Sequence, residues 1–291
     1  MINQRPFRIF PAAALATGLL MAPLHADAET EDADPGDPPI EDLFKSELVF
    51  PQERGELQIA SFPSYREGPE GSVVSVPIGI EYGITDAFQL EVEWDAYVDA
   101  DGDSAEESGS GQGNFQLGLM YAMIDIAGSG FHVAAGAEYE IASGDQVFLE
   151  NGNRADSQEL YLIFAKDLAE ASTSLVFVQV GVELQPDRRE AATLVGALHD
   201  DPEIMGSEDD DDGALDPNVW FLNLGGYTPL GEAILSLELN LSEEEEERFV
   251  TPGISYQPGG GLELGLGVAL GLTEEADDYQ VIAKLLWEFE D

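Results

Sequence analysis

Between Val76 and Val98 the chain reads VPIGIEYGITDAFQLEVEWDAYV, so that Glu81, Glu91, Glu93 and Asp95 alternate with Ile80, Tyr82, Leu90, Val92 and Trp94. In an extended chain successive side chains point to opposite faces, which gathers these carboxylates on one side and the apolar residues on the other. The same alternation places Glu138, Glu140, Glu183, Glu238 and Glu263 on the acidic side of their segments, with Lys284 and Lys166 as the bases expected there. A wall of carboxylates selects for cations. His132 falls on the same face and is the side chain best suited to proton transfer. A barrel-wall hydrolase built on it needs a nucleophile within hydrogen-bond reach, but its same-face neighbour is Ala134. The simpler expectation for His132 is a polar residue on the wet wall, and His199 falls in a long loop.

Other chemistry-bearing patterns carry less. Asp99, Asp101 and Asp103 in DADGDSAEE resemble a calcium loop, yet that loop needs Gly sixth and Glu twelfth, and this one has Gly102 fourth and Ser110 twelfth. EDDDD at 208–212 and EEEEE at 243–247 are solvated loop charge. Gly109, Gly111 and Gly113 in GSGQG precede a strand pattern, whereas a phosphate-binding loop opens a helix. The chain has no Cys, which excludes a disulfide framework, a thiol-attached lipid anchor and a Cys-ligated metal. No cofactor, metal centre or catalytic residue is expected.

Twelve segments with a period of two carry these residues. The strongest are Ser72–Ile84, Phe88–Val98, Phe115–Met123, Phe131–Ile141, Val176–Leu184 and Leu262–Leu272, and weaker ones are Glu56–Tyr65, Ser157–Leu168, Asn218–Pro229, Ala233–Ser242, Arg248–Gln257 and Tyr279–Phe289. No segment of helical length and period separates them, which excludes a parallel βαβ architecture. Connections alternate between long acidic ones, such as 99–113, 142–156 and 186–217, and short ones, such as 85–87 and 230–232. That alternation puts every long loop at one end of an up-and-down meander. Arg5 and Arg8, the apolar run that follows and Ala26-Asp27-Ala28 form a secretory signal over residues 1–28. Export, an even strand count and loop asymmetry together predict an all-β fold, an antiparallel transmembrane β-barrel of the outer membrane with short periplasmic turns and long extracellular loops. The barrel spans 55–291 and follows an acidic, proline-rich lead at 29–54, expected to be mostly flexible with one turn of helix near Ile40–Lys45.

In such a barrel the apolar face meets lipid and the acidic face lines the lumen. Tyr82, Phe88, Tyr121, Phe131, Tyr227, Tyr256, Trp287 and Phe289 would form the girdle at the short-turn end, and Trp94, Phe115, Tyr139 and Trp220 the other. Pro63, Pro77 and Pro252 cannot donate to a ladder and predict bulges or kinks. Inward glycines, among them Gly79, Gly83, Gly118, Gly136, Gly181, Gly265 and Gly267, leave room either for a solute path or for tight packing. A net charge of −48 argues against nucleic-acid partners. It also offers a second origin for the inward acids, because a chain suited to saline surroundings acidifies every wet surface.

The run VPIGIEYGITDAFQLEVEWDAY, the strand GSGQGNFQLGLMYAM, ASGD at Ala142–Asp145, VTPGISYQPGGGLELGLGVALGL and the terminal KLLWEF resemble the outer-membrane barrels named for the MetA pathway of phenol degradation. Gln112 to Asn114 depart from that family's acidic position, and Glu290 and Asp291 follow the terminal aromatic. The resemblance covers most of 55–289. It implies an outer-membrane channel or transporter for small aromatic or other hydrophobic compounds, and no catalytic residues. The expected function is therefore passive passage of small solutes through a cation-preferring lumen. Its expected partners are outer-membrane lipid, the barrel-assembly machinery and small solutes or cations. The alternatives are a closed barrel serving surface contact and the hydrolase on His132.

Overall fold

The computed structural model describes residues 39–40, 42–69, 71–102, 108–145, 156–169, 172–184, 218–243, 247–274 and 276–289. The expected signal at 1–28, the first part of the lead, His199, Asp103 and the 208–212 run lie outside them. Fourteen strand segments form one sheet, and two pairs of segments are single staves interrupted once, which makes twelve staves. They are β1 (Leu57–Ser61 with Ser64–Gly68), β2 (Gly71–Thr85), β3 (Phe88–Gly102), β4 (Gly109–Gly111 with Phe115–Met123), β5 (Phe131–Ile141) and β6 (Ser157–Ala169). The remaining six are β7 (Ser172–Leu184), β8 (Asn218–Leu230), β9 (Ala233–Ser242), β10 (Arg248–Gly259), β11 (Leu262–Gly271) and β12 (Tyr279–Phe289). Each pairs antiparallel with its chain neighbours, and β1 closes the ring on β12 through Leu57↔Phe289 to Ser61↔Leu285 and Ser64↔Ile282. Closure leaves no unpaired edge, which a bilayer requires.

Leu117, Leu119, Ile80 and Val92 stand 42–46 % exposed on the outside. This apolar belt would be a liability in water and is the surface a bilayer covers. The expected girdles are present at Tyr82, Tyr121, Phe131, Trp287, Phe289, Phe115, Tyr139 and Trp220, all of them exposed. Tyr227 is a correction: it is buried inside the barrel. Trp220 points out, and seven residues along a strand invert the face.

The prolines behave differently from one another. At Pro77 the β2–β3 register slips, pairing Val76 with Tyr97 and Pro77 with Asp95, so Ala96 is the extra residue of a bulge. Beyond it the faces swap: Tyr97 is exposed and Val98 buried, the reverse of the simple alternation. Pro63 lies in the gap between the two halves of β1. Pro252 causes no slip, because it pairs with Leu237 and the register with β11 is the same on either side of it.

The barrel is filled at its short-turn end. Met120, Ala122, Ala134, Ile163, Ala165, Leu175, Phe177 and Tyr227 form an apolar inner wall, and Ile40, Leu43, Leu48, Val49 and Phe50 of the lead pack against it from within. Ile40, Leu43, Leu48 and Val49 are all buried there. The described residues near Ile40–Lys45 show no turn of the expected helix: Asp42 bridges Glu47, and Phe44 to Ser46 bend between them. The lead is poor in apolar residues on average, but its few are concentrated where the barrel offers them a core.

Candidate functional site: the barrel interior

The inward segment, hereafter the plug, is held by three groups of contacts. The Glu238 carboxylate accepts the backbone N–H of Phe44 at 3.0 Å and of Lys45 at 3.1 Å. Charge-assisted bonds of this kind are about twice as strong as neutral ones. Lys284 Nζ donates to the Asp42 carbonyl and to Glu263 Oε1, both at 2.5 Å, in a fully buried pair. Asn240 donates to Ser46 Oγ at 3.0 Å and to Asn223 Oδ1 at 3.1 Å, and Asn223 donates to Gln179 Oε1 at 2.9 Å, tying the plug into a polar chain across β9, β8 and β7.

Glycines make the seat possible. A Cβ on Gly253 would lie 2.1 Å from the Phe44 ring, one on Gly267 2.6 Å from it and one on Gly265 3.0 Å from it, so only glycine lets the ring in. A Cβ on Gly83 would meet the Glu53 carbonyl at 1.8 Å, where the plug chain passes back to the wall. Two more inward glycines accept aromatic rings from adjacent staves, Tyr161 on Gly136 and Phe221 on Gly181, while Gly118 faces the Glu91 side chain and Gly79 has Ala60 nearest. Between the two uses the sequence left open, Gly83, Gly136, Gly181, Gly265 and Gly267 serve tight packing.

Toward the long-loop end the wall becomes acidic. A cavity of about 510 Å³ lies between plug and wall, and Glu81, Glu91, Glu93, Asp95, Glu138 and Glu159 line it. Among its described lining residues Lys45 is the one Lys or Arg, and it donates to Gln280 Oε1 at 3.0 Å. Glu81 accepts from Gln89 at 2.7 Å. Carboxylate oxygens of Glu47, Glu91 and Glu138 all lie within 4.8 Å of one another, so a hard cation with oxygen ligands fits there. On the plug, burial and then the neighbouring Asp42 and wall glutamates push the Glu47 carboxyl well above the usual carboxylate range. Burial also lifts Asp42 to about 6, against the pull of Lys284.

The expected site residues thus separate into groups. Glu81, Glu91, Glu93, Asp95 and Glu138 share the large cavity, while Glu140 and Glu183 border a smaller one of about 90 Å³ with Glu138. Glu238, Glu263 and Lys284 hold the plug. His132 is buried near the short turns, where its Nδ1 accepts the Asp125 N–H at 3.0 Å and its Nε2 lies 3.2 Å from Asp167 Oδ1. Both ring nitrogens face these groups, and the plug's Phe50 packs edge-on against the ring at 5.3 Å. Lys166 is not inward: its Nζ donates to the Ser129 carbonyl at 2.7 Å on an exposed turn. The residues missed from sequence are Asp42, Lys45 and Glu47 of the plug and Glu159. Glu159 was legible, because it alternates with Leu160 and Leu162.

No family model matches the chain, and no curated protein sequence matches it either. Solved structures do. The COG4313 outer membrane channel from Pseudomonas putida F1 superposes with a TM-score of 0.59 at 12 % identity, covering 83 % of this chain and 98 % of that one. The KdgM porin does so at 0.52 and 10 %, covering 80 % and 99 %, and the NanC porin at 0.50 and 8 %, covering 80 % and 100 %. At such identities the likeness is one of fold: a closed antiparallel barrel, here of twelve strands, shared with outer-membrane channels and porins.

Proposed function

We propose that this protein is an outer-membrane channel that passes small solutes and prefers cations. The observation that carries the reading is the acidic cavity: six wall carboxylates, with Asp42, Glu47 and Glu247, line a space whose one base among the described lining residues is Lys45. A low-dielectric wall around such a space concentrates cations and repels anions. The likeness to the phenol-degradation barrels supports small aromatic or hydrophobic solutes as the natural cargo, and the acidic wall narrows these to species carrying positive charge. Assembly through the terminal strand by the barrel-assembly machinery, in contact with outer-membrane lipid, belongs to the same reading.

The test is a planar-bilayer recording under a KCl gradient. The reversal potential should report K⁺ over Cl⁻, and a Glu91→Gln, Glu93→Gln, Asp95→Asn variant should bring it close to zero. Anion preference in the parent protein defeats the role given to the acids. The plug favours one second reading, a closed barrel acting through its loops, and absence of conductance would select it.

A further inference from the structure

The plug carries a single ammonium into the acidic cavity, and the wall holds that ammonium in a formed seat. Lys45 Nζ donates to Gln280 Oε1 at 3.0 Å and stands 4.3 Å from the centroid of the Phe249 ring, within the range at which a cation is drawn to an aromatic face. Phe249 is 3 % exposed and clusters with the buried Ala269 and Ala276, so the ring is fixed by packing of its own. Burial holds the Lys45 amine below the usual lysine range, against the attraction of Glu247, Glu238 and Asp277. The charge of Lys45 is therefore only partly compensated where it sits. The seat lies at the long-loop end, since Phe249 is the second residue of β10 and Gln280 the second of β12.

The seat opens on the large cavity, because Lys45, Phe249, Gln280 and Glu247 all belong to its lining. Elsewhere in that lining Glu91, Glu93 and Asp95 have no Lys or Arg ion-pair partner among the described residues. Three properties narrow the occupant that suits this space. The cavity's nine carboxylates against one base favour a molecule carrying more than one positive charge. The Phe249 ring, with Phe62, Leu241 and Ile282 also in the lining, favours an organic body over a bare hard cation, which takes oxygen ligands. Gln280 Oε1 accepts an N–H, which a primary ammonium has and a quaternary one lacks.

We propose that the Phe249–Gln280 seat binds one end of a linear alkyl di- or polyamine, which displaces the Lys45 ammonium, while a second ammonium of the same molecule is held by the wall carboxylates of the cavity. The plug side chain is then a tethered stand-in for the solute. The proposal rests on the channel reading for the route by which the amine reaches the cavity. No covalent step is involved, and one ammonium is exchanged for another on the same ring and amide.

The test is calorimetric binding of diaminobutane to the full chain in an uncharged detergent, with butylamine and Mg²⁺ for comparison. In the parent, Phe249 gives up Lys45 as it takes the amine, so the ring's contribution largely cancels. In Lys45→Met nothing is displaced and the ring counts in full. Lys45→Met should therefore bind diaminobutane about tenfold or more tighter than the parent. Phe249→Leu should change the parent's affinity by less than about threefold but weaken that of Lys45→Met by about tenfold, the size of a desolvated cation–ring contact. Butylamine should bind more weakly than diaminobutane, and Mg²⁺ binding should ignore Phe249→Leu in both backgrounds. Heat-modifiable gel mobility shows that each variant has folded, and Gln280→Leu replaces Phe249→Leu, with the same expected pattern, if that variant has not. Absence of diaminobutane binding to Lys45→Met overturns the seat, as does binding that neither wall substitution weakens. An equal loss in parent and Lys45→Met on Phe249→Leu overturns the displacement, and butylamine binding as tightly as diaminobutane overturns the second ammonium. K⁺ conductance in the bilayer decides the channel reading by itself, and calorimetry decides the seat whichever way the conductance falls.

Discussion

Phe44 is the anchor whose removal tests the plug. Its ring is 7 % exposed, lies against Gly253, Gly265 and Gly267, and has Lys284 Nζ 5.4 Å from its centroid. Truncating a buried Phe to Ala costs about 3–5 kcal/mol in transfer and cavity terms. Here that cost falls on the seated plug alone, because the barrel ladders do not use Phe44. At 1.36 kcal/mol per decade, the ratio of seated to displaced plug should fall by about 150-fold to several thousandfold in Phe44→Ala. Tryptic cleavage after Lys45, which is shielded in the seated plug, should accelerate by a comparable factor, and single-channel conductance should rise. The barrel's heat-modifiable mobility on gels should not change. Gly267→Ala should act from the other side, since its Cβ would meet Phe44 at 2.6 Å, and overpacking of this kind costs about 1–3 kcal/mol. In the double variant the ring is gone and Gly267→Ala should add almost nothing. Equal protease resistance in Phe44→Ala and parent would refute the anchoring, and strict additivity in the double variant would show that Gly267 does not act through the ring.

Three further outcomes are expected. Glu238→Gln, which loses one charge-assisted acceptor for the Phe44 and Lys45 N–H groups, should weaken plug seating by about 1.5–3 kcal/mol, measured by the same proteolysis. Asp42 is lifted by burial from 3.8 to about 6 when the plug is seated, so the seated state binds the extra proton. Its contribution to seating is complete below about pH 3.8 and lost as pH rises through about 6, so Lys45 cleavage should quicken over that window, and Asp42→Asn should flatten the response. Millimolar Mg²⁺ or Ca²⁺ should reduce K⁺ current by occupying the Glu47, Glu91 and Glu138 oxygens, and Glu47→Gln should abolish the effect without altering the gel mobility of the barrel. A current insensitive to divalent ions in the parent excludes that site.

The barrel was largely legible before any coordinates, for a physical reason. In a bilayer each stave must satisfy its backbone through its neighbours, and each side chain meets either lipid or lumen, so the period of two in stretches such as Phe115–Met123 leaves little freedom. Errors arose where one residue broke the count. Ala96 bulges opposite Pro77 and sends Tyr97 outward and Val98 inward. Trp220 and Tyr227 lie an odd number apart on one strand and cannot both face outward. The interior was less legible. Glu238, Glu263 and Lys284 were identified as inward, yet nothing local to β9, β11 or β12 indicates that they hold the plug rather than face solute.

By itself the sequence determined the strands, their faces wherever no bulge or odd spacing intervenes, the end that carries the long loops and the sign of charge on the wet wall, because each follows from a spacing of a few residues. The tertiary structure alone decided what fills the lumen. Glu238 meets the Phe44 N–H across 194 positions, and Gly253 and Gly267 form one cradle only because β10 and β11 stand side by side. Contacts at that separation depend on closure of the ring, which brings a few apolar residues of an otherwise acidic lead to the one apolar wall inside the barrel.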